Sequence, residues 1–276
     1  MGSKTKIDWC DATWNPVTGC LHGCEYCYAR RIAERFEARE IYDPECQCQR
    51  HLIERGMLTG TGKPLELDYP WEQKNKDGSI TNAAYPFGFE PTFHRYRLDE
   101  PKRWKKPRTI FVCSMADLFG DWVPDEWIEQ VFEACEAAPQ HRYLFLTKNP
   151  KRYVGLYGNG ILRVRDSFWY GSTITGANEP FFFSRVPDDN PHTFCSIEPI
   201  LEPVGAMQVM PDWVIVGAET GNRKGKVVPQ KEWIDEIAAE CKRRRKPLFM
   251  KESLRAIMTD DFCQQFPWVV GGSELF

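Results

Sequence analysis

The chain is poor in the features that would take it into a membrane or out of the cell. No stretch approaches the length of apolar sequence that a spanning helix needs, about 20 residues. The opening Met1-Gly2-Ser3-Lys4-Thr5-Lys6 contains no apolar core of a secretory signal. Charge of one sign is lacking as well. The formal net charge is −3 over 276 residues, which excludes a global field for nucleic acid. There is no internal repeat and no low-complexity tract. A hydrophobic share of 42% with 13% aromatics excludes disorder over the whole chain.

Cysteine, by contrast, is plentiful. The chain has 11, an odd number that cannot pair completely within it, and with no secretion signal this points to a reducing cytoplasm. Cys113, Cys135, Cys195 and Cys241 lie inside apolar periodic runs and read as buried small residues. Cys20, Cys24 and Cys27 are different. They stand in the run Cys20-Leu21-His22-Gly23-Cys24-Glu25-Tyr26-Cys27, with spacing C-x3-C-x2-C. Three thiolates this close cannot all pair as disulfides, and no fourth protein ligand stands beside them. They can hold three irons of a 4Fe-4S cluster and leave the fourth iron open. An open iron is a place to bind and cleave a cofactor.

The spacing, with Tyr26 before the last cysteine, resembles the cluster motif of the radical S-adenosylmethionine (SAM) superfamily. The resemblance implies that Cys20, Cys24 and Cys27 are the cluster ligands and that Tyr26 packs near the adenine of SAM. It implies that the open iron chelates SAM, that reductive cleavage gives a 5′-deoxyadenosyl radical, and that this radical takes a hydrogen from a substrate. An external electron donor of flavodoxin or ferredoxin type is implied too. Ile7-Asp8-Trp9, the run from Thr13 to Cys20, Cys27-Tyr28-Ala29, the run from Ser114 to Phe119, Leu146-Thr147-Lys148 and the run from Val214 to Glu219 resemble a phage-associated family. That similarity covers about residues 5–252.

Beyond the motif, short apolar runs alternate with helical ones, as in a β/α barrel. Strands are expected near residues 13–18 and at 108–113, 141–147, 168–174, 193–197, 213–218 and 247–251. Helices are expected at 28–39, 124–138 and 230–245. The fold expected is α/β, a full or partial (β/α) TIM-like barrel of radical SAM type, as one domain over residues 1–276. Residues 40–106 break the rhythm with glycines, prolines and aromatics, and are too long for an ordinary loop. They read as an aromatic, loop-rich insertion after the first helix, a candidate lid.

Barrel active sites gather at the C-terminal ends of strands. SAM needs acceptors for its ammonium and ribose, donors for its carboxylate, and apolar surface for its adenine. Glu198 and Glu219 are the best carboxylates at these ends, and Ser114, Lys148 and Ser172 the best ribose or carboxylate contacts. The superfamily's glycine-glycine-glutamate motif is missing, and residues 114–117, ending in Asp117, take its place. Cys195 and Cys113 are candidates for a hydrogen donor to a product radical, with core packing as the competing role. Cys46 and Cys48, with His51, are a possible second metal pair that would need another ligand such as His94 or Cys10. Two basic runs stand out, at residues 102–108 with Trp104 embedded and at 242–246 at the end of a helix. The first suits phosphate contact and base stacking; the second suits a helix C-terminus.

These features favour a radical SAM enzyme acting on a modified nucleobase or nucleic acid. Two other readings stay open. Cys10 or His22 could close the triplet into a zinc or iron–sulfur module without radical chemistry. Asp117, Glu198 and Glu219 could hold a divalent metal in a nuclease or hydrolase barrel.

Overall fold

The structure is a computed structural model, and it describes residues 5–38, 41–42, 65–177, 192–207 and 209–269. The strands are β1 (Ala12–Trp14), β2 (Val17–Thr18), β3 (Ile41–Tyr42), β4 (Leu65–Leu67), β5 (Glu72–Lys74), β6 (Ile80–Asn82), β7 (Thr92–His94), β8 (Thr109–Val112), β9 (Arg142–Thr147), β10 (Phe168–Ile174), β11 (His192–Ile197), β12 (Trp213–Val216) and β13 (Leu248–Met250). The helices are α1 (Tyr28–Arg35), α2 (Glu100–Arg103), α3 (Asp125–Glu136), α4 (Lys151–Gly158), α5 (Lys231–Arg243) and α6 (Arg255–Met258).

One sheet of seven strands runs in the order β1-β8-β9-β10-β11-β12-β13. β9 to β13 pair in parallel, residue against residue, with Gly171 beside Phe194 and Ser172 beside Cys195. The order is open at β1 and β13, which is compatible with a partial barrel. The strands are buried end to end, as in a parallel sheet covered on both faces. No helix among the described residues is long and apolar enough to cross a membrane.

The chain divides into two compact units. One comprises residues 1–12, 107–111 and 140–276, the other residues 13–106 and 112–139. In the first unit, side-chain alternation sorts the core into two faces. Trp9, Phe111, Leu144, Trp169, Phe194, Trp213, Ile215 and Phe249 pack on one face, an aromatic layer. Ile174, Cys195, Ile197, Val214, Val216, Leu248 and Met250 pack on the other, against Ile234, Ile237 and Cys241 of α5. On that helix the apolar residues recur at helical spacing, which gives it one buried stripe.

The second unit holds the stretch expected as a lid. Its described part is woven into the structure that carries the cysteine motif. β7 pairs antiparallel with β2, Val17 opposite Phe93 and Thr18 opposite Thr92, and β4 joins β7 in parallel. His94, fully buried, shares a 2.8 Å hydrogen bond through Nε2 with the Thr18 hydroxyl. Burial, with the nearby Arg97 charge, pushes its imidazole down to about 2, so it is neutral. Phe93 stacks on Trp127 of α3 at 5.1 Å, and the Trp127 indole donates to Glu66 Oε1 at 2.6 Å.

Helix α4 was not expected from the sequence. Gly155 and Gly158 lie within its eight residues and hide the helical pattern, while Tyr153 and Leu156 still supply a buried stripe.

Candidate functional site

The cysteine loop begins where β2 ends. Gly19 adopts φ +87°, and a Cβ there would stand 2.2 Å from the Glu90 carbonyl oxygen. Only glycine fits this turn. Gly19 N–H donates to the Met115 carbonyl at 2.9 Å and Cys20 N–H to the Phe89 carbonyl at 3.2 Å. The first cysteine is therefore fixed by backbone from two distant segments.

Asn15, between β1 and β2, holds one of those segments. Its Oδ1 accepts from Met115 N–H at 2.9 Å and from the Ser114 hydroxyl at 3.2 Å. Cys113 enters this turn at φ +58°, a conformation uncommon outside glycine. Asp117, 5% exposed, then binds the loop from below: Oδ1 accepts from Phe119 N–H at 3.0 Å and Oδ2 meets His22 Nε2 at 2.7 Å. The His22 ring stands edge-on to Trp122 at 4.9 Å.

The far end of the loop is a helix start. Cys27 is the N-cap of α1, and its sulfur accepts from Arg30 N–H at 3.3 Å. A helix N-terminus favours negative charge, which suits a sulfur that bonds a metal as thiolate. Arg30 also donates to the Cys20 carbonyl at 3.2 Å and lies 4.9 Å over the Phe89 ring, tying the two ends of the loop together. Tyr28 donates to the Ser114 carbonyl at 2.7 Å.

Cys20, Cys24 and Cys27 are all half-buried and free of disulfides. Cys20 and Cys27 pack on a small cluster of Ala29, Ala33, Phe89 and Met115. Burial pushes the Cys20 thiol up to about 12, and the charges of Asp117, Cys27 and Cys24 push in the same direction. Cys20 thus feels the charges of both other thiols. Among the described residues no group of three or more His, Cys, Asp or Glu side chains already stands in a metal-ligand arrangement. The donor set itself, three soft sulfurs on one eight-residue run, fits an iron–sulfur cluster with an open iron. Tyr26 is half-buried beside Cys27. Cys46, Cys48 and His51 lie outside the described residues. Cys10 belongs to the other unit, where burial pushes its thiol up to about 12 and Asp11, Lys251 and Asp8 are its charged neighbours.

That other unit carries the remaining sequence candidates. Glu198, Glu219 and Lys251 follow the C-terminal ends of β11, β12 and β13. Lys251 Nζ and Glu198 Oε1 form an ion pair at 2.5 Å. Gly217 makes room for it, since a Cβ there would stand 2.9 Å from Lys251 Cδ and 3.1 Å from the Glu198 carboxyl carbon. Glu219, 4% exposed, is held by Arg223 through two hydrogen bonds of 2.7 and 2.8 Å. Both carboxylates face a cation, so neither is offered bare to a divalent metal. Lys148 is half-buried at the exit of β9.

Ser172 and Cys195 sit elsewhere. They are neighbours across β10 and β11, and both point to the face shared with Ile174 and α5. Cys195 and Ser172 are fully buried there, and the Ser172 hydroxyl has no hydrogen-bond partner. Thr173, one residue on, is half-buried on the face of Trp169 and Phe194. Cys113 is 2% exposed in the second unit, with its thiol pushed up to about 12 by burial. The sequence reading passed over Asn15, Arg30, Lys251 and Arg223. Lys251 was at a strand exit and was visible in principle; Asn15 and Arg30 act through contacts no local pattern announces.

Residues 4–259 match the profile of a family described as protein of unknown function (DUF5131), and the chain belongs to that family. No curated protein matches the chain, and no solved structure does.

Proposed function

We propose that this member of the DUF5131 family is a radical SAM enzyme that acts on a nucleobase or nucleic acid. The observation that carries the reading is the pinned loop with three free, half-buried thiols on one eight-residue run. In it Cys20, Cys24 and Cys27 hold a 4Fe-4S cluster. Such a cluster, when bound, supplies an electron to SAM and so gives a 5′-deoxyadenosyl radical that takes a hydrogen from the substrate.

The chain's own residues do the rest. Gly19 and Asn15 set the position of the first sulfur, and Arg30 fixes the loop's two ends at one separation. The His22–Asp117 hydrogen bond holds the middle. Tyr26 offers a ring to the adenine, and Ser114 and Asp117 stand on the segment that clamps the loop. In the other unit, the Lys251–Glu198 pair presents an ammonium and a carboxylate side by side.

The test is made on anaerobically purified and reconstituted protein. Iron and sulfide are measured, the protein is reduced with dithionite, SAM is added, and 5′-deoxyadenosine is sought. About four irons per chain and formation of 5′-deoxyadenosine are expected. Cys24→Ala is expected to lose both while keeping the far-ultraviolet circular dichroism of the parent, because Cys24 lies on a loop outside the hydrophobic core. Zinc in place of iron, or reductive SAM cleavage by the variant, would sink the assignment.

A further inference from the structure

The structure gathers cations that lie far apart in sequence onto one edge of the large sheet. In a parallel sheet every strand starts on the same edge. Arg108 precedes β8, Arg142 begins β9, Arg163 and Arg165 precede β10, and the run 242–246 precedes β13. From β8 to β13 the edge covers five strand spacings, or about 24 Å. All of these residues belong to one unit. Net charge concealed this, since the acids that balance it lie mostly elsewhere.

Among the described residues, three acids of the edge are engaged. Asp11 accepts from Thr109 N–H, Asp212 pairs with Lys246 at 3.0 Å, and Glu240 is shared by Arg243 and Arg244. Asp166 is exposed beside Arg165. Lys242 and Arg245 are exposed with no partner among the described residues, and Arg163 donates only to the Gly160 carbonyl. Aromatic surface interleaves with the charge. His192 stacks on Trp169 at 4.7 Å, and Arg142 lies 4.1 Å over Trp268. The Trp169 indole N–H is buried without an acceptor.

Arg245 supplies an independent sign. Helix α5 ends in a Schellman motif: Lys246 N–H donates to the Cys241 carbonyl at 2.9 Å, and Arg245 N–H to the Lys242 carbonyl at 3.2 Å. Arg245 occupies the left-handed position, φ +54°, that glycine fills at least cost. The helix end would be better served by glycine. An arginine there keeps an exposed charge on this edge.

We propose that this edge binds the phosphate backbone of a single-stranded nucleic acid, with the half-buried rings of Trp268 and His192 as stacking surfaces. It lies at the opposite ends of the strands from Glu198, Glu219 and Lys251, and its span of about 24 Å suits a polymer better than a mononucleotide. The proposal shares only the nucleic-acid partner with the proposed function, and it stands or falls apart from the cluster chemistry.

The test compares the full chain with a variant carrying Lys242→Gln, Arg163→Gln and Arg245→Gly. Binding of a fluorescent single-stranded oligonucleotide of about 20 nucleotides is measured across a salt series. Three lost phosphate contacts should weaken binding at least about tenfold and lower the salt slope by about 2. Arg245→Gly alone should raise the melting temperature, so weaker binding cannot be blamed on misfolding. Equal binding by the parent and the triple variant would overturn the surface. Absence of binding by the parent, or displacement by polyglutamate as effective as by nucleic acid, would overturn the partner. Formation of 5′-deoxyadenosine is read on the same samples. A parent that cleaves SAM without binding the oligonucleotide loses this proposal and keeps the cluster; the reverse result does the opposite.

Discussion

The cysteines of the 20–27 loop and those of the sheet core live in different surroundings, yet burial acts on both. It pushes the thiols of Cys20, Cys113 and Cys241 alike up to about 12. Thiol acidity therefore does not separate a candidate ligand from a packing residue here. Company and access do. Cys20 is half-buried with two further thiols within electrostatic reach, whereas Cys195 is fully buried among Ile197, Val214 and Val216. A metal competes with protons for a thiolate, and three sulfurs bonding together outweigh the cost that burial sets on one. The core thiols have the same cost and no such return.

The comparison also concerns how each region is held. Cys195 and Cys241 pack among the apolar residues of the core. The loop adds to its small apolar cluster a few long-range polar contacts and one glycine. Gly19→Ala should therefore have the largest effect on stability. It meets both a left-handed backbone and the Glu90 carbonyl, and is expected to cost about 3 kcal/mol in urea unfolding. Gly23→Ala, at φ +70° but in open space, should cost about 1 kcal/mol. Equal costs would mean that the close approach at Gly19 does not matter.

Acid should attack the loop's foundation before the core. His94 is held neutral down to about 2 in the fold and takes a proton near 6.5 when unfolded. Its folded value is depressed, so its contribution is complete above about 6.5 and is lost as the pH falls toward 2. In that window the slope is about 1.4 kcal/mol per pH unit. Urea midpoints measured from pH 7 to pH 4 should fall accordingly, and His94→Gln should flatten the curve. A His94→Gln protein with the parent's pH dependence would remove His94 from the account.

The smallest effect sharpens the line between site and core. Ser172→Ala removes a buried hydroxyl that has no partner, and should add about 1 kcal/mol of stability. It should leave 5′-deoxyadenosine formation unchanged. A loss of SAM cleavage in this variant would return Ser172 to the site and break the assignment of faces.

Much of this was legible beforehand. The strand at residues 168–174 coincides with β10, and those expected at 141–147, 193–197 and 213–218 differ from β9, β11 and β12 by two residues at most. Continuous apolar runs bounded by turns carry that signal on their own. The first expected strand, at residues 13–18, is two: β1 in the large sheet and β2 in a smaller one, parted by Asn15 and Pro16. A proline before a strand was a visible warning. The described part of residues 40–106 forms strands and pairs with β2, which no periodicity revealed because each strand is only two or three residues long.

Taken alone, the sequence determined the chemistry on offer and the succession of elements. The spacing of three cysteines and the apolar runs are local facts, and local facts survive without a fold. Register and long-range contact decided the rest. A strand's side chains alternate with a period of 2, so Ser172 and Thr173 exchange faces on a shift of one residue, and only the packed sheet says which faces α5. Lys251 meets Glu198, and Asn15 meets Met115, because folding brings separate strands together; their spacing along the chain holds no trace of it. The basic edge has the same origin: parallel strands place their starting loops side by side, and charges that look scattered in sequence become one surface.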